Sequence, residues 1–454
     1  MIQPIINICR IPELRKKLGF TILMLIIYRI GFHVPIPGVS VEDVAKYFQS
    51  LGGQIGQLVN IAAILSGGNI RQSTIFGLGI MPYISASIIF TLLTNVVPSL
   101  ERLQKEGEAG RRKINEYTRY AAVLLCFIQA AFWLNMVGQE RTVTLLVKGP
   151  AGIGWFWFRA IVILSLTAGT IFLMWLGEQI DEYGIGNGIS IIIMAGIIAR
   201  MPGAVMWLAS NARLSFGAAG AEVGISKILF LVFGFVVVTT GVILITQGQR
   251  RIPIKHAKFV RGRRVFGGGM NYLPLRVNQG GVMPIIFASS LLMFPGIIFE
   301  QVAKHWDNGF TRFLNEAFRF DSVLRSLCYV GLIFFFAFFW TTVQFRPQEI
   351  AENLQEQGAS IRGRRPSRAA KYLEQVMERI TYVGAAFLAV IAIIPTVLVV
   401  VLDVPYNVTA FLGGTGLLIC VSVVLDMVSR VEASLKQHEY SGLLGGGGSI
   451  RGPR

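Results

Sequence analysis

The chain is poor in the residues that do chemistry. Its four histidines (His33, His256, His305, His438) are widely separated, and its four cysteines (Cys9, Cys126, Cys328, Cys420) are scattered with no CxxC pair. That spacing gives no zinc motif and no reason to expect a disulfide. No apolar stretch holds an HExxH, a paired Asp or a Ser/His couple, so an intramembrane enzyme would lack its nucleophile, acid–base pair or metal. No row of Asp, Glu or His runs through those stretches either, which counts against a proton-coupled pump or a charged ion filter. The glycine run at 184–188 lacks the strand before it and the acid after it that a dinucleotide loop needs. We therefore expect no catalytic residue, no metal and no cofactor. Acidic residues are also scarce, 25 against 42 Lys and Arg, for a net charge of +17.

What the chain has instead is long apolar runs. Ten of them cover 19–39, 75–97, 120–137, 155–176, 185–208, 225–245, 277–298, 324–343, 380–402 and 410–428. Each is about long enough to cross ~30 Å of hydrocarbon as a helix. A mean hydropathy of +0.59 agrees, so the fold class is an all-α polytopic membrane protein with ten transmembrane helices. The first run is too long and too deep for a cleavable signal, and no small-residue cleavage site follows it.

The basic residues fall on alternate loops. Segments 1–18, 98–119, 177–184, 246–276, 344–379 and 429–454 hold 29 of the 42, and the loops on the other side hold 8. The positive-inside rule makes both termini cytoplasmic. One loop dissents: 177–184 has Glu178, Asp181 and Glu182 and no Lys or Arg. Acidic residues weigh little in the rule, so the topology stands. The net charge then belongs mostly to cytoplasmic loops, which could meet anionic lipid, ribosomal RNA or an acidic partner protein.

Several segments depart from a plain membrane helix. Residues 60–73 (NIAAILSGGNIRQS) are too short and polar to cross. They read either as a half-helix dipping in from outside, shielded by protein, or as an amphipathic surface helix. Ser85, Ser87, Thr91, Thr94, Gln129 and Asn278 are polar positions in or beside spans, expected to face one another or a wet path. Ile80 and Ile84, and likewise Ile189 and Ile193, share a helix face; spacing alone favours lipid-facing or core roles for them. Loops 246–276 and 344–379 are long for connectors and carry Arg261, Arg263 and Arg264, and Arg362, Arg364, Arg365 and Arg368. Those clusters suit either partner recognition or lipid headgroups.

Long ordered segments carry a resemblance. YRIGFHVPIPGV (28–39), LSGGNIRQSTIFGLGIMPYISASII (65–89), KEGEAGRRKINEYTRY (105–120), MWLGEQIDEYGIGNGISIII (174–193), GQRRIPIKHAK (248–258), LPLRVNQGGVMPIIFASS (273–290), RPQEIAENLQEQGA (346–359), AKYLEQVMERIT (370–381) and FLGGTGLLI (411–419) resemble the SecY family, the channel subunits of the bacterial Sec protein translocase. The resemblance implies ten helices in two pseudo-symmetric inverted five-helix halves around a central pore, 1–208 and 209–428, with a cytoplasmic tail at 429–454. Inverted repeats put the pathway between the halves. Carried over motif by motif, the pore ring falls on Ile80, Ile84, Ile189, Ile193, Ile286 and Ile419. The plug falls at 58–73, including Ser66, Gly67, Gly68, Asn69 and Arg71. The lateral gate takes in Ser85, Thr91, Gln129 and Asn278, and partner binding takes in Arg250, Arg251, Arg263, Arg264 and Arg365.

The same resemblance implies SecE and SecG subunits, the SecA ATPase, the ribosome and unfolded preproteins with signal sequences as partners, beside anionic lipids. It implies a protein-conducting channel in the cytoplasmic membrane. Three departures bear on it. Thr91 stands where the family usually has Gln, Thr246 and Gln247 replace a charged pair, and RGRRPSRAAKY is shorter and more basic than the usual loop tip. The competing reading is a secondary transporter for a small solute, which would need paired charges or coordinating carbonyls at the midplane.

Overall fold

A computed structural model describes residues 12–39, 73–138, 155–211, 224–256, 258–261, 264–267, 269–306, 308–319, 322–361, 368–402, 409 and 415–445. The plug positions Ser66, Gly67, Gly68, Asn69 and Arg71, and the loop-tip residues Arg263 and Arg365, lie outside the described residues.

The helices are α1 (Pro12–Gly31), α2 (Met81–Val96), α3 (Pro98–Lys105), α4 (Glu108–Gly138), α5 (Trp155–Tyr183), α6 (Gly188–Ile198), α7 (Met201–Asn211) and α8 (Ile225–Gln247). After four strands come α9 (Met283–His305), α10 (Gly309–Ala317), α11 (Val323–Gln344), α12 (Pro347–Glu356), α13 (Ala369–Leu402) and α14 (Thr415–Gly445). Each of the ten apolar stretches carries helix over most of its described residues. Among the described residues, six helical segments are long and apolar enough to cross a membrane, and α2 with α3, which meet at a 96° bend, make a seventh. The described residues fall into two compact units. One is drawn from Met1–Gly52, Val59–Arg200 and Val423–Arg454, the other chiefly from Met201–Ser422.

Hydroxyls inside these helices bond mainly to their own backbone. Thr91 Oγ1 donates to Ser87 O (2.7 Å), Thr94 Oγ1 to Thr91 O (2.8 Å) and Thr167 Oγ1 to Ile163 O (2.8 Å). A membrane interior offers no water to pair with, and the preceding turn's carbonyl is always within reach. One pair does cross between helices: Thr381 Oγ1 of α13 donates to Thr341 Oγ1 of α11 (3.2 Å).

The two long basic loops are not separate connectors. Strands β1 (Gln249–His256), β2 (Lys258–Arg261), β3 (Arg264–Gly267), β4 (Met270–Arg276) and β5 (Ala359–Ile361) build a three-stranded antiparallel sheet in the order β4-β1-β5 and a separate β2-β3 hairpin. Pairs Ile254↔Ile361 and His256↔Ala359 join one loop to the other. Alternate residues Ile252, Leu275 and Ile361 point inward and pack with Phe345, Leu373 and Met377. Each such burial is worth about 1.5–3 kcal/mol. The all-α description thus holds for the apolar spans, while the loops carry strands.

Candidate functional site: the isoleucine positions and their supports

Three of the proposed ring residues, Ile80, Ile84 and Ile286, sit where two helices begin. In the first unit, residues 75–80 run as turns, with Gly77 N bonding Thr74 O (2.8 Å) and Gly79 N bonding Phe76 O (2.9 Å). Gly79 adopts φ +59°, a region open to glycine at little cost. Ile80 is the N-cap of α2 and Pro82 stands in its first turn. Ile84 then closes the first helical bond onto Ile80 O (3.1 Å). The second unit repeats the glycine, the cap and the proline. Gly281 also has φ +59°, Val282 is the N-cap of α9, Pro284 follows, and Ile286 bonds Val282 O (3.2 Å). The sequences are GIMPYI and GVMPII. Proline suits such a start because its missing N–H has no partner there.

The supports match as well. A Cβ on Gly169 of α5 would overlap the carbonyl oxygen of Ile75, and a Cβ on Gly384 of α13 would lie 2.7 Å from that of Val277. Each unit thus presents one glycine to the carbonyl four residues before its left-handed glycine. In each unit the helix packing also runs in the same order: α2 on α4 on α5, and α9 on α11 on α13.

Five of the six isoleucines are buried: Ile80 (0% exposed), Ile84, Ile193, Ile286 and Ile419. Ile189 is half-buried. Burial removes the lipid-facing reading for those five. Ile189 and Ile193 lie on α6, whose start is fixed by side chains. Asn187 Oδ1 accepts from Ser190 N (3.0 Å) and Asp181 Oδ1 accepts from Gly188 N (2.8 Å). Glu178 pairs with Arg119 of α4 (2.7 Å). Of the three acids in the dissenting loop, Asp181 is therefore occupied in building the α5–α6 corner and Glu178 in tying α5 to α4. Gly188 has to be glycine because a Cβ there would overlap the Gly177 carbonyl.

Among the gate positions, Ser85, Thr91 and Gln129 are half-buried on α2 and α4. Asn278 is on the α9 lead-in, where its Nδ2 donates to Gly281 O (3.0 Å). Arg250 and Arg251 are exposed at the start of β1, opposite Leu275 and Pro274. Arg264 pairs with Arg261 in the β2-β3 hairpin.

A family profile described as SecY matches residues 74–428. The protein translocase subunit SecY of Chlamydia trachomatis is 42% identical over 446 residues, covering 96% of each chain. The chain belongs to the SecY family. The Pseudomonas aeruginosa subunit of the same name is 41% identical, over 96% of this chain and 94% of its own. Among solved structures, a protein-conducting channel matches with a TM-score of 0.62 at 19% identity, covering 92% of each chain. A channel solved in the canine ribosome-channel complex of the endoplasmic reticulum matches with a TM-score of 0.60 at 18% identity, again over 92% of each. Family membership accounts for the helical polytopic fold.

Sequence reasoning overlooked the doubled G-x-M-P motif, although it is plain in the text of the chain. It also overlooked the alternation in RIPIK (251–255) and YLPLR (272–276), which is a strand signal.

Proposed function

We propose that the chain is a protein-conducting channel of the cytoplasmic membrane. It passes unfolded secretory polypeptides across and releases membrane-protein helices sideways into lipid. The observation that carries this is the pair of matched helix starts, each delivering a buried isoleucine, Ile84 and Ile286, two residues after a proline. In this reading the six isoleucines form one aliphatic seal. Such a ring fixes no water and adapts to any passing side chain, and it excludes ions by dewetting. Residues 58–73 act as a plug, and Ser85, Thr91, Gln129 and Asn278 belong to a lateral gate. The halves are 1–208 and 209–428, and both termini are cytoplasmic.

No chemistry is assigned to the chain itself, so a partner must supply energy. Exposed Arg250 and Arg251, with Arg263, Arg264 and Arg365, offer forked donors for carboxylate or phosphate. We assign them to SecA and the ribosome; the canine channel matched above was solved with a ribosome. SecE and SecG complete the assembly, and anionic lipids meet the remaining basic loops. A small-solute transporter is not favoured, since buried aliphatics, not charges, occupy the key positions.

Planar-bilayer conductance tests the seal. Ser at Ile80, Ile84, Ile193 and Ile286 together should make the resting channel leak ions, and Leu or Val there should not. If the quadruple Ser variant stays as tight as the parent, these are ordinary core isoleucines.

A further inference from the structure

Helix α10 stands apart from the translocation machinery, in the connection between α9 and α11. Its nine residues, GFTRFLNEA, are two-sided. Phe310, Phe313, Leu314 and Ala317 fall on one side at helical spacing, and Thr311, Arg312, Asn315 and Glu316 on the other. The last turn is docked: Ala317 is buried, and the Phe318 ring packs edge-on against Phe299 of α9 at 5.0 Å. The first turn is open. Phe310 is 71% exposed, Phe313 60%, and Trp306 just before the helix 72%.

The start is held stiffly. Thr311 Oγ1 accepts from Asn308 N (3.0 Å) and lies 2.6 Å from Trp306 O, to which it donates. Three large aromatics are thus fixed outward at the end of a membrane hairpin. The tethers are short. Four residues from His305 to Gly309 reach at most about 14 Å, and six from Ala317 to Val323 about 21 Å. The helix cannot leave the membrane surface. Val323 and Leu327, exposed one turn apart on α11, continue the apolar surface toward the bilayer.

We propose that α10 is an interfacial anchor. It lies in the plane of the membrane with Trp306, Phe310 and Phe313 at the headgroup–acyl boundary and Arg312 and Glu316 in water. Aromatic rings favour that boundary, and a short two-sided helix lying flat places them there. The occupant of this face is lipid. Which leaflet it is follows from the proposed topology and is the external one.

Spin-label accessibility tests the anchor in the full chain with its copurifying subunits, in phosphatidylethanolamine–phosphatidylglycerol vesicles. A cysteine-free background carries one of Phe310→Cys, Phe313→Cys, Arg312→Cys or Glu316→Cys. Labels at 310 and 313 should collide with oxygen in preference to a water-soluble nickel chelate. Their oxygen-to-nickel ratio should exceed that at 312 and 316 by roughly threefold or more. Nickel access at all four positions would make α10 a solvent helix and overturn the proposal. Shielding of 310 and 313 from both reagents would show a protein cover and overturn it equally. Nickel confined to the cytoplasmic side that reaches 312 and 316 would leave the anchor supported and overturn the topology instead.

Discussion

Into α2 the chain arrives through 75–80 and into α9 through 277–282, and the two lead-ins share backbone, proline and supporting glycine while being held differently. The first is clamped by main chain. Ile36 N bonds Ser73 O (2.9 Å), Ile75 N bonds Val34 O (3.1 Å), and Pro35 bridges Thr74. Gly31 leaves the room that the Phe76 ring fills. The second is tied by Val277 N to Gly248 O (2.9 Å) and by the Gln344 amide, turned to satisfy its neighbours, to Gln279 O (3.2 Å), while the bond from Asn278 Nδ2 to Gly281 O (3.0 Å) lies inside the lead-in itself. A clamp of paired backbone moves only with its neighbour. A lead-in tied by single, separated bonds, each worth about 1 kcal/mol, shifts by breaking them one at a time. The α2 lead-in is therefore the stiffer of the two and the α9 lead-in the more yielding.

The largest expected effect comes from filling the two supporting glycines. Gly169→Val drives a branched side chain into the Ile75 carbonyl, and Gly384→Val does so less deeply at Val277. Overpacking of this kind costs about 1–3 kcal/mol and more against backbone. Gly169→Val should abolish the monodisperse peak in size-exclusion chromatography, and Gly384→Val should only lower it. The reverse order would break the ranking.

Next come the left-handed glycines. Gly79→Ala and Gly281→Ala each force a side chain to φ +59°, at about 1–2 kcal/mol. An added Cβ at Gly281 meets nothing within 4 Å, so its loss is backbone strain alone. Thermal unfolding in detergent should show both variants less stable than the parent. An unchanged midpoint for Gly281→Ala would mean that the second lead-in relaxes freely.

The smallest stability change and the most specific functional one belong to Asn278→Ala. It should raise resting ion leak, because the turn ahead of α9 loses its internal side-chain brace. Ser289→Ala, which removes only a bond to its own helix at Ile286 O (3.0 Å), should leave conductance unchanged. Equal behaviour of the two would remove Asn278 from gating.

The spans were legible because ten apolar stretches have one physical meaning in lipid. Their beginnings were not. By apolarity the second stretch reads as helix from residue 75 and the seventh from 277, yet the helices start at Met81 and Met283. Residues 75–80 are as apolar as a helix, and only Gly77, Gly79 and Pro82 signal the turns. The first stretch ends as helix at Gly31, with Pro35, Pro37 and Gly38 as the overlooked markers. The fifth breaks into α6 and α7 just before Met201-Pro202. Glu178 looked out of place because its partner Arg119 lies on another helix, which no local pattern reveals. The isoleucines could be chosen only through the family resemblance, since periodicity cannot tell a buried isoleucine from a lipid-facing one.

The β1-β4 ladder runs without a break from Lys255↔Met270 to Gln249↔Arg276, and the next rung is the Val277–Gly248 bond from which the α9 lead-in hangs. A disordered loop would absorb a pull applied at Arg250 and Arg251 as slack. A hydrogen-bonded ladder shears only as a whole, so it behaves as a rigid handle, and Arg250 and Arg251 lie at the end of it that is ten residues from Ile286. Load applied there would reach the start of α9 as displacement, with no intervening change of fold.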